Sequence, residues 1–136
     1  MIFVDTGAFI ARYFKRDQHH AEAVPIWERI ERRKDWLCTS NFVLDELATY
    51  LARKSNYLFA AQKIQALYDS EAFDILRPSD EHERLAIRLF AKYADQEVSF
   101  TDCISLVLMK VHGIHRAFAF DRHFDLAGFI RIPLEP

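Results

Sequence analysis

Short apolar runs alternate along this chain with longer stretches in which apolar residues recur at helical spacing. Ile2-Phe3-Val4 is the first such run; it ends at Asp5 and reads as a buried strand. Ala8 to Phe14 is expected to form a short helix. A longer helix from about Gln18 to Arg33 would place Val24, Trp27 and Ile30 on one face, with Asp17 as its cap. Pro25 falls inside that pattern, where it should kink the helix or mark its true first turn. Leu37-Cys38-Thr39 is the second expected strand. Asn41 is expected to cap a helix reaching about Lys54, and Asn56 to begin another with Phe59, Ile64, Leu67 and Tyr68 as core residues. Phe73-Asp74-Ile75-Leu76 reads as a strand, and Pro78-Ser79-Asp80 opens a helix to about Tyr93, with Asp80 and Glu83 at capping-box spacing. Ser99 to Asp102 leads into a helix that is apolar nearly all round from Cys103 to Val111, so it should be buried on several sides, and Gly113 should end it. Ala117-Phe118-Ala119-Phe120 is a further strand stopping at Asp121, and Phe129 to Ile132 is the last. Strands this short and apolar, alternating with helices, predict a parallel sheet covered on both faces. The expected fold is α/β: a three-layer sandwich with a central, mainly parallel sheet flanked by helices.

Composition narrows this picture without redirecting it. At 136 residues the chain is expected to be a single domain over 1–136, long enough to bury a real core. Three glycines and four prolines leave little material for a hairpin-rich all-β fold. A net charge of −2 gives no global basic field that would advertise nucleic acid, so any such function must be argued from a site. Cys38 and Cys103 both sit in apolar stretches and read as free buried thiols of a reducing compartment. With no signal-peptide pattern at the start and no run of membrane-spanning length, a cytoplasmic location and no membrane contact are expected.

The chemistry lies in the acids. Sites in open parallel sheets gather beyond the carboxyl ends of the strands. Asp5 and Asp121 each follow an apolar strand directly, and Asp102 comes in the first turn of the buried helix, where the macrodipole favours negative charge. On the helix after Asn41, Val43, Leu44, Leu47, Ala48, Tyr50 and Leu51 form one broad face. At roughly 100° per residue, Asp45 points away from it while Glu46 lies at its border and can face a site beside the core. Singly, each acid also reads as a turn, cap or surface residue. Together, four carboxylates would raise one another's pKa values unless a cation sat among them. A set without an obvious His or Cys companion points to Mg2+ or Mn2+ rather than Zn2+, and to phosphodiester hydrolysis.

At these residues the sequence resembles PIN domains, and among them the toxin nucleases of VapBC-type toxin–antitoxin pairs. The matching stretches are Phe3-Val4-Asp5-Thr6, Thr39-Ser40-Asn41-Phe42-Val43-Leu44-Asp45-Glu46, Ser99-Phe100-Thr101-Asp102 and Ala119-Phe120-Asp121-Arg122-His123-Phe124-Asp125. Their order and spacing carry the resemblance over essentially the whole chain. It implies a Mg2+- or Mn2+-dependent endoribonuclease whose acidic quartet is Asp5, Glu46, Asp102 and Asp121. Asp5 and Asp102 would be metal ligands, Glu46 and Asp121 would act directly or through water, and Thr6 and Thr101 would help order the site. The family often forms homodimers, and its toxin branch is held inactive by a small cognate antitoxin. Lys15, Arg16, Arg122 and His123, near the strand ends in sequence, are the candidate RNA contacts. The same fold also serves as a stand-alone nuclease in RNA processing, or as a catalytically weak RNA-binding or regulatory domain.

Other chemistries fit less well. A phosphoryl-receiver domain wants adjacent acids after its first strand, whereas Thr6 follows Asp5. A haloacid-dehalogenase-type phosphatase needs an acid where Gly7 stands, and a zinc protease needs a histidine where Ala86 stands, four residues after His82. His19 and His20 are neighbours whose side chains diverge on a helix, and read as solvated surface.

Overall fold

The computed structural model describes residues 1–133. Five strands form one parallel sheet: β1 (Ile2–Val4), β2 (Leu37–Ser40), β3 (Phe73–Leu76), β4 (Arg116–Phe118) and β5 (Ile130–Ile132). Their spatial order is β3-β2-β1-β4-β5, so β1 is central and pairs with β2 on one side and β4 on the other. The helices are α1 (Thr6–Tyr13), α2 (His20–Arg33), α3 (Asn41–Lys54), α4 (Tyr57–Asp69), α5 (Asp80–Lys92), α6 (Phe100–Val111) and α7 (His123–Leu126). The chain winds outward from β1 to β3, then returns to lay β4 and β5 on the other side. This reversal creates a crevice at the carboxyl ends of β1 and β4, where α/β sheets place their ligands.

Burial explains why the strands read as unbroken apolar runs. Phe3, Val4, Cys38, Ala117 and Phe118 are fully buried, since helices cover both faces of the sheet. Phe9 of α1 packs against Trp27 of α2 and Phe73 of β3, with ring centroids 5.7 and 5.6 Å away. The Trp27 indole N–H donates to the Ala8 carbonyl at 3.0 Å, so α2 is tied to α1 by a polar handle as well as by area. Residues Cys103 to Met109 of α6 are all buried, as the apolar pattern required, and they pack on α3 and α5. Gly113 follows with φ +66°, a left-handed conformation that lets the chain turn out of the helix. Val111, expected in the core, is half exposed.

Several caps differ from expectation by one residue. Ser40, not Asn41, caps α3: its hydroxyl accepts the Val43 N–H at 3.1 Å, because β2 runs straight into the helix. Ser79, not Asp80, caps α5, in a reciprocal box with His82 rather than Glu83, and Asp80 instead pairs with Arg84. Asp17 lies three residues ahead of α2, where its carboxylate accepts the His19 N–H at 3.0 Å and turns the chain before the helix begins. Asn56 caps α4 as expected, but Tyr68 of that helix is exposed and Ala60 is buried in its stead. Strand β4 ends at Phe118, so Ala119 and Phe120 lie beyond it.

Candidate active site

Three local devices deliver carboxylates to the crevice. The first is the end of β1. The Asp5 N–H donates to the Phe118 carbonyl at 3.0 Å, and the Thr39 hydroxyl donates to the Val4 carbonyl at 2.8 Å, so the strand is held to its last residue. Asp5 is then the N-cap of α1, yet its side chain accepts no capping hydrogen bond. The second device is the start of α6. Ser99 accepts the Asp102 N–H at 3.0 Å while Asp102 Oδ2 receives the Ser99 N–H at 3.4 Å, a capping box that fixes the Asp102 carboxylate on the helix rim. The third is the turn after β4, where Asp121 Oδ1 accepts the His123 N–H at 3.0 Å.

Asp5, Glu46, Asp102 and Asp121 line one hollow of about 350 Å³, together with Thr6, His19, Ser99 and Phe120. Four acids from four separate stretches therefore meet, including the helix-borne Glu46. Asp45 is exposed and does not line the hollow. Thr6 is there with its hydroxyl buried and unpartnered. Thr101 is not among the lining residues; its carbonyl accepts the Ser105 hydroxyl at 3.1 Å, and Ser99 takes the nearer place. Lys15, Arg16 and Arg122 also lie outside the lining set.

Two histidines make contacts that the sequence does not announce. His123, expected as an RNA contact, places Nδ1 2.8 Å from Asp121 Oδ1 and 3.2 Å from Asp102 Oδ2, bracing two of the acids. The tight turn two residues after an aspartate was the available signal. His19, read as solvated surface, stacks on Phe120 with centroids 4.2 Å apart and planes within 4°, and lines the hollow. Nothing in the spacing of residues 19 and 120 announces that contact.

The electrostatics are those of a site built for a cation. Burial pushes the Asp5 carboxyl well above the usual aspartate range, the Asp102 charge raises it further, the Thr6 N–H partly opposes this, and Glu46 and Asp121 add to the rise. Burial also raises Asp102, as does the charge of Asp121, against hydrogen bonds from Ser99 and His123. Asp5 is only 6% exposed and its Oδ1 has no hydrogen-bond partner. A buried acceptor left unpaired among like charges is costly by itself, and a divalent cation resolves both defects at once. Asp102, Asp121 and His123 offer ligand atoms that all lie within 4.8 Å of one another. Asp102 and Asp121 of that trio line the same hollow as Asp5, so the residues present could hold a divalent metal ion.

Comparison with known proteins follows this geometry closely. The PIN domain family model matches residues 2–130. The chain belongs to the PIN-domain family. It is 32% identical over 132 residues to a Mycobacterium tuberculosis PIN relative named 23S rRNA-specific endonuclease VapC20, covering 97% of this chain and 98% of that protein. It is 31% identical over 125 residues to an Archaeoglobus fulgidus protein named VapC ribonuclease, covering 90% of this chain and 78% of that one. The crystal structure of M. tuberculosis VapC20, described as a Sarcin-Ricin loop cleaving toxin, superposes with a TM-score of 0.83 at 31% identity, over 96% of this chain and 97% of that one. Among the described residues, no helix is long and apolar enough to cross a membrane.

Proposed function

We propose that this single-domain PIN protein is a Mg2+- or Mn2+-dependent endoribonuclease and the toxin of a type II toxin–antitoxin pair. The observation that carries the reading is the convergence of Asp5, Glu46, Asp102 and Asp121 on one hollow, with a buried Asp5 oxygen left unpaired. The names of its two relatives, a 23S rRNA-specific endonuclease that is also described as a Sarcin-Ricin loop cleaving toxin and a VapC ribonuclease, support the same substrate class. An RNA target of that kind fits a protein acting in the cytoplasm, and the toxin reading brings with it a small cognate antitoxin and a homodimer.

Asp5 and Asp102 would hold the ion directly, with Glu46 and Asp121 directly or through water. A divalent ion held there would polarise the scissile phosphodiester, make a bound water acidic and stabilise the leaving oxygen. The chain's own part is positional. The end of β1 and the capping box of α6 set Asp5 and Asp102 on rigid elements. His123 fixes the orientation of Asp102 and Asp121, and the Thr6 hydroxyl adds a neutral donor where another charge would only repel. Asp45 stays outside this machinery.

The test is incubation of total cellular RNA with the protein in Mg2+, Mn2+ or chelator, followed by sequencing of new RNA ends. Discrete ends are expected only with metal, and Asp102→Asn should abolish them while Asp45→Asn keeps them. Asn preserves the capping acceptor at residue 102, so the fold should survive. Full activity in Asp102→Asn would remove that carboxylate from the mechanism.

A further inference from the structure

A second hollow, of about 570 Å³, is lined by Phe14, Arg16, Asp17, Gln18, Tyr50 and Lys54. Its lining residues neighbour those of the acidic one along the chain. Ile10 and Glu46 line the acidic hollow, and Phe14 and Tyr50 stand four residues further along the same two chain segments. The Phe14 N–H closes on the Ile10 carbonyl at 3.0 Å, so this step is one helical turn, roughly 5.4 Å along the axis. Between the two hollows the wall passes from His19 to Gln18. The chemistry inverts across that step. Arg16 and Lys54 are exposed cations that, among the described residues, meet no carboxylate at salt-bridge distance. Asp17, the acid beside them, is engaged by the His19 N–H. Tyr50 is half-buried, edge-on to Phe14 with centroids 5.8 Å apart, and the Lys54 ammonium stands 6.0 Å from its ring centroid.

From this arrangement we propose that the Arg16–Tyr50–Lys54 hollow is the subsite for a nucleotide flanking the scissile phosphate of single-stranded RNA. The two cations would hold its phosphate and the aromatic pair would offer a face to its base. This inference rests on the ribonuclease reading and gives that reading a strand path. A carboxylate cluster repels the RNA backbone, so cations nearby would supply affinity for substrate, and this hollow has them: Lys54 stands eight residues beyond Glu46 on α3, roughly 12 Å along the axis, and Arg16 follows the end of α1. Aromatic faces beside a cationic track are how single strands are held without base-specific hydrogen bonds.

Binding tests it separately from catalysis. The probe is a short fluorescein-labelled single-stranded RNA, titrated against Asp102→Asn protein in Mg2+ over a range of salt concentrations and read by anisotropy. Adding Arg16→Ala or Lys54→Ala should weaken binding about fivefold or more, and each should lower the log–log salt slope by about 0.7, the value per phosphate contact for a single strand. Lys54→Arg should restore most of the loss. Lys34→Ala, in the cationic cluster at the far end of α2, should change neither quantity. In a protein that cleaves, Lys54→Ala should raise KM and leave kcat near its original value. Unchanged affinity and slope in the Arg16→Ala/Lys54→Ala pair overturns the proposal, as does an equal loss in Lys34→Ala. If the pair leaves RNA binding intact and instead weakens association with an acidic protein partner, the hollow is a protein-docking surface and the proposal is likewise overturned. Failure of the nuclease reading would be recognised independently, as the absence of metal-dependent ends from the unmodified protein.

Discussion

Val4 and Asp5 are adjacent in the chain and belong to two opposite physical regimes. Upstream, β1 has a parallel neighbour on each side, and Phe3 and Val4 are fully buried among apolar side chains. Every local preference there agrees with the fold. Immediately downstream, the chain buries a carboxylate, leaves one of its oxygens unpaired and brings three more acids towards it. Good folding physics alone would not build that rim. Local rules broken beside a scaffold that obeys them mark the place where stability has been given up for chemistry.

Substitutions on the two sides should therefore have opposite signatures. Phe3→Ala is expected to cost about 3–5 kcal/mol, a large share of a typical domain's stability, because it opens a cavity beneath the central strand. Activity would fall only through loss of folded protein. Asp5→Asn should reduce RNA cleavage by about 100-fold or more, as expected when a group stabilising charge in the transition state is removed. It should also raise the thermal midpoint of the metal-free protein, since a buried charge among like charges disappears. Thermal melts in chelator and cleavage assays on the same preparations check both claims. A lower midpoint for Asp5→Asn would mean that its carboxylate stabilises the fold.

The pH dependence sharpens the contrast. Asp5 and Asp102 both have carboxyl pKa values raised in the folded state, so above the ordinary aspartate range the metal-free folded protein binds more protons than the unfolded chain. The stability these two groups allow is complete below their unfolded pKa values and is lost as pH rises through the folded ones. The informative quantity is the difference between wild type and Asp5→Asn, in which groups common to both proteins cancel. In chelator, wild type should lose stability relative to Asp5→Asn as the pH is raised from acidic to neutral. Saturating Mg2+ should reverse this, contributing about 2.7 kcal/mol at a hundredfold excess over Kd. A gap independent of pH would mean that Asp5 titrates normally.

The sheet, its helices and the four acids could be read in the sequence because each rests on a local signal. A parallel strand buried on both faces is a plain apolar run, and a residue following it falls on the carboxyl edge. Glu46 followed from the angular position of its neighbours on one helix. His19 and Thr101 show the limit. The stack of His19 on Phe120 joins residues a hundred positions apart, and no periodicity reports it. The failure of Thr101 to line the hollow depends on how α6 is rotated about its axis, which the packing against α3 and α5 decides. The cap shifts at Ser40 and Ser79 arise because each hydroxyl lies beside another competent capping residue, and only the point where the strand or loop stops chooses between them.

That choice at α3 yields the smallest effect, and it separates geometry from propensity. Ser40 and Asn41 are both strong N-cap types, so sequence preference alone barely distinguishes them. In the structure, Ser40 Oγ accepts the Val43 N–H, while Asn41 Oδ1 is buried with no partner. Ser40→Ala should therefore cost about 1 kcal/mol, the usual value of a lost cap. Asn41→Ala should cost less and could even stabilise, because it deletes an acceptor whose burial nothing offsets. Urea denaturation of the two variants decides the order. A larger loss at Asn41 would shift the start of α3 by one residue, and with it the angle at which Glu46 meets the other three carboxylates.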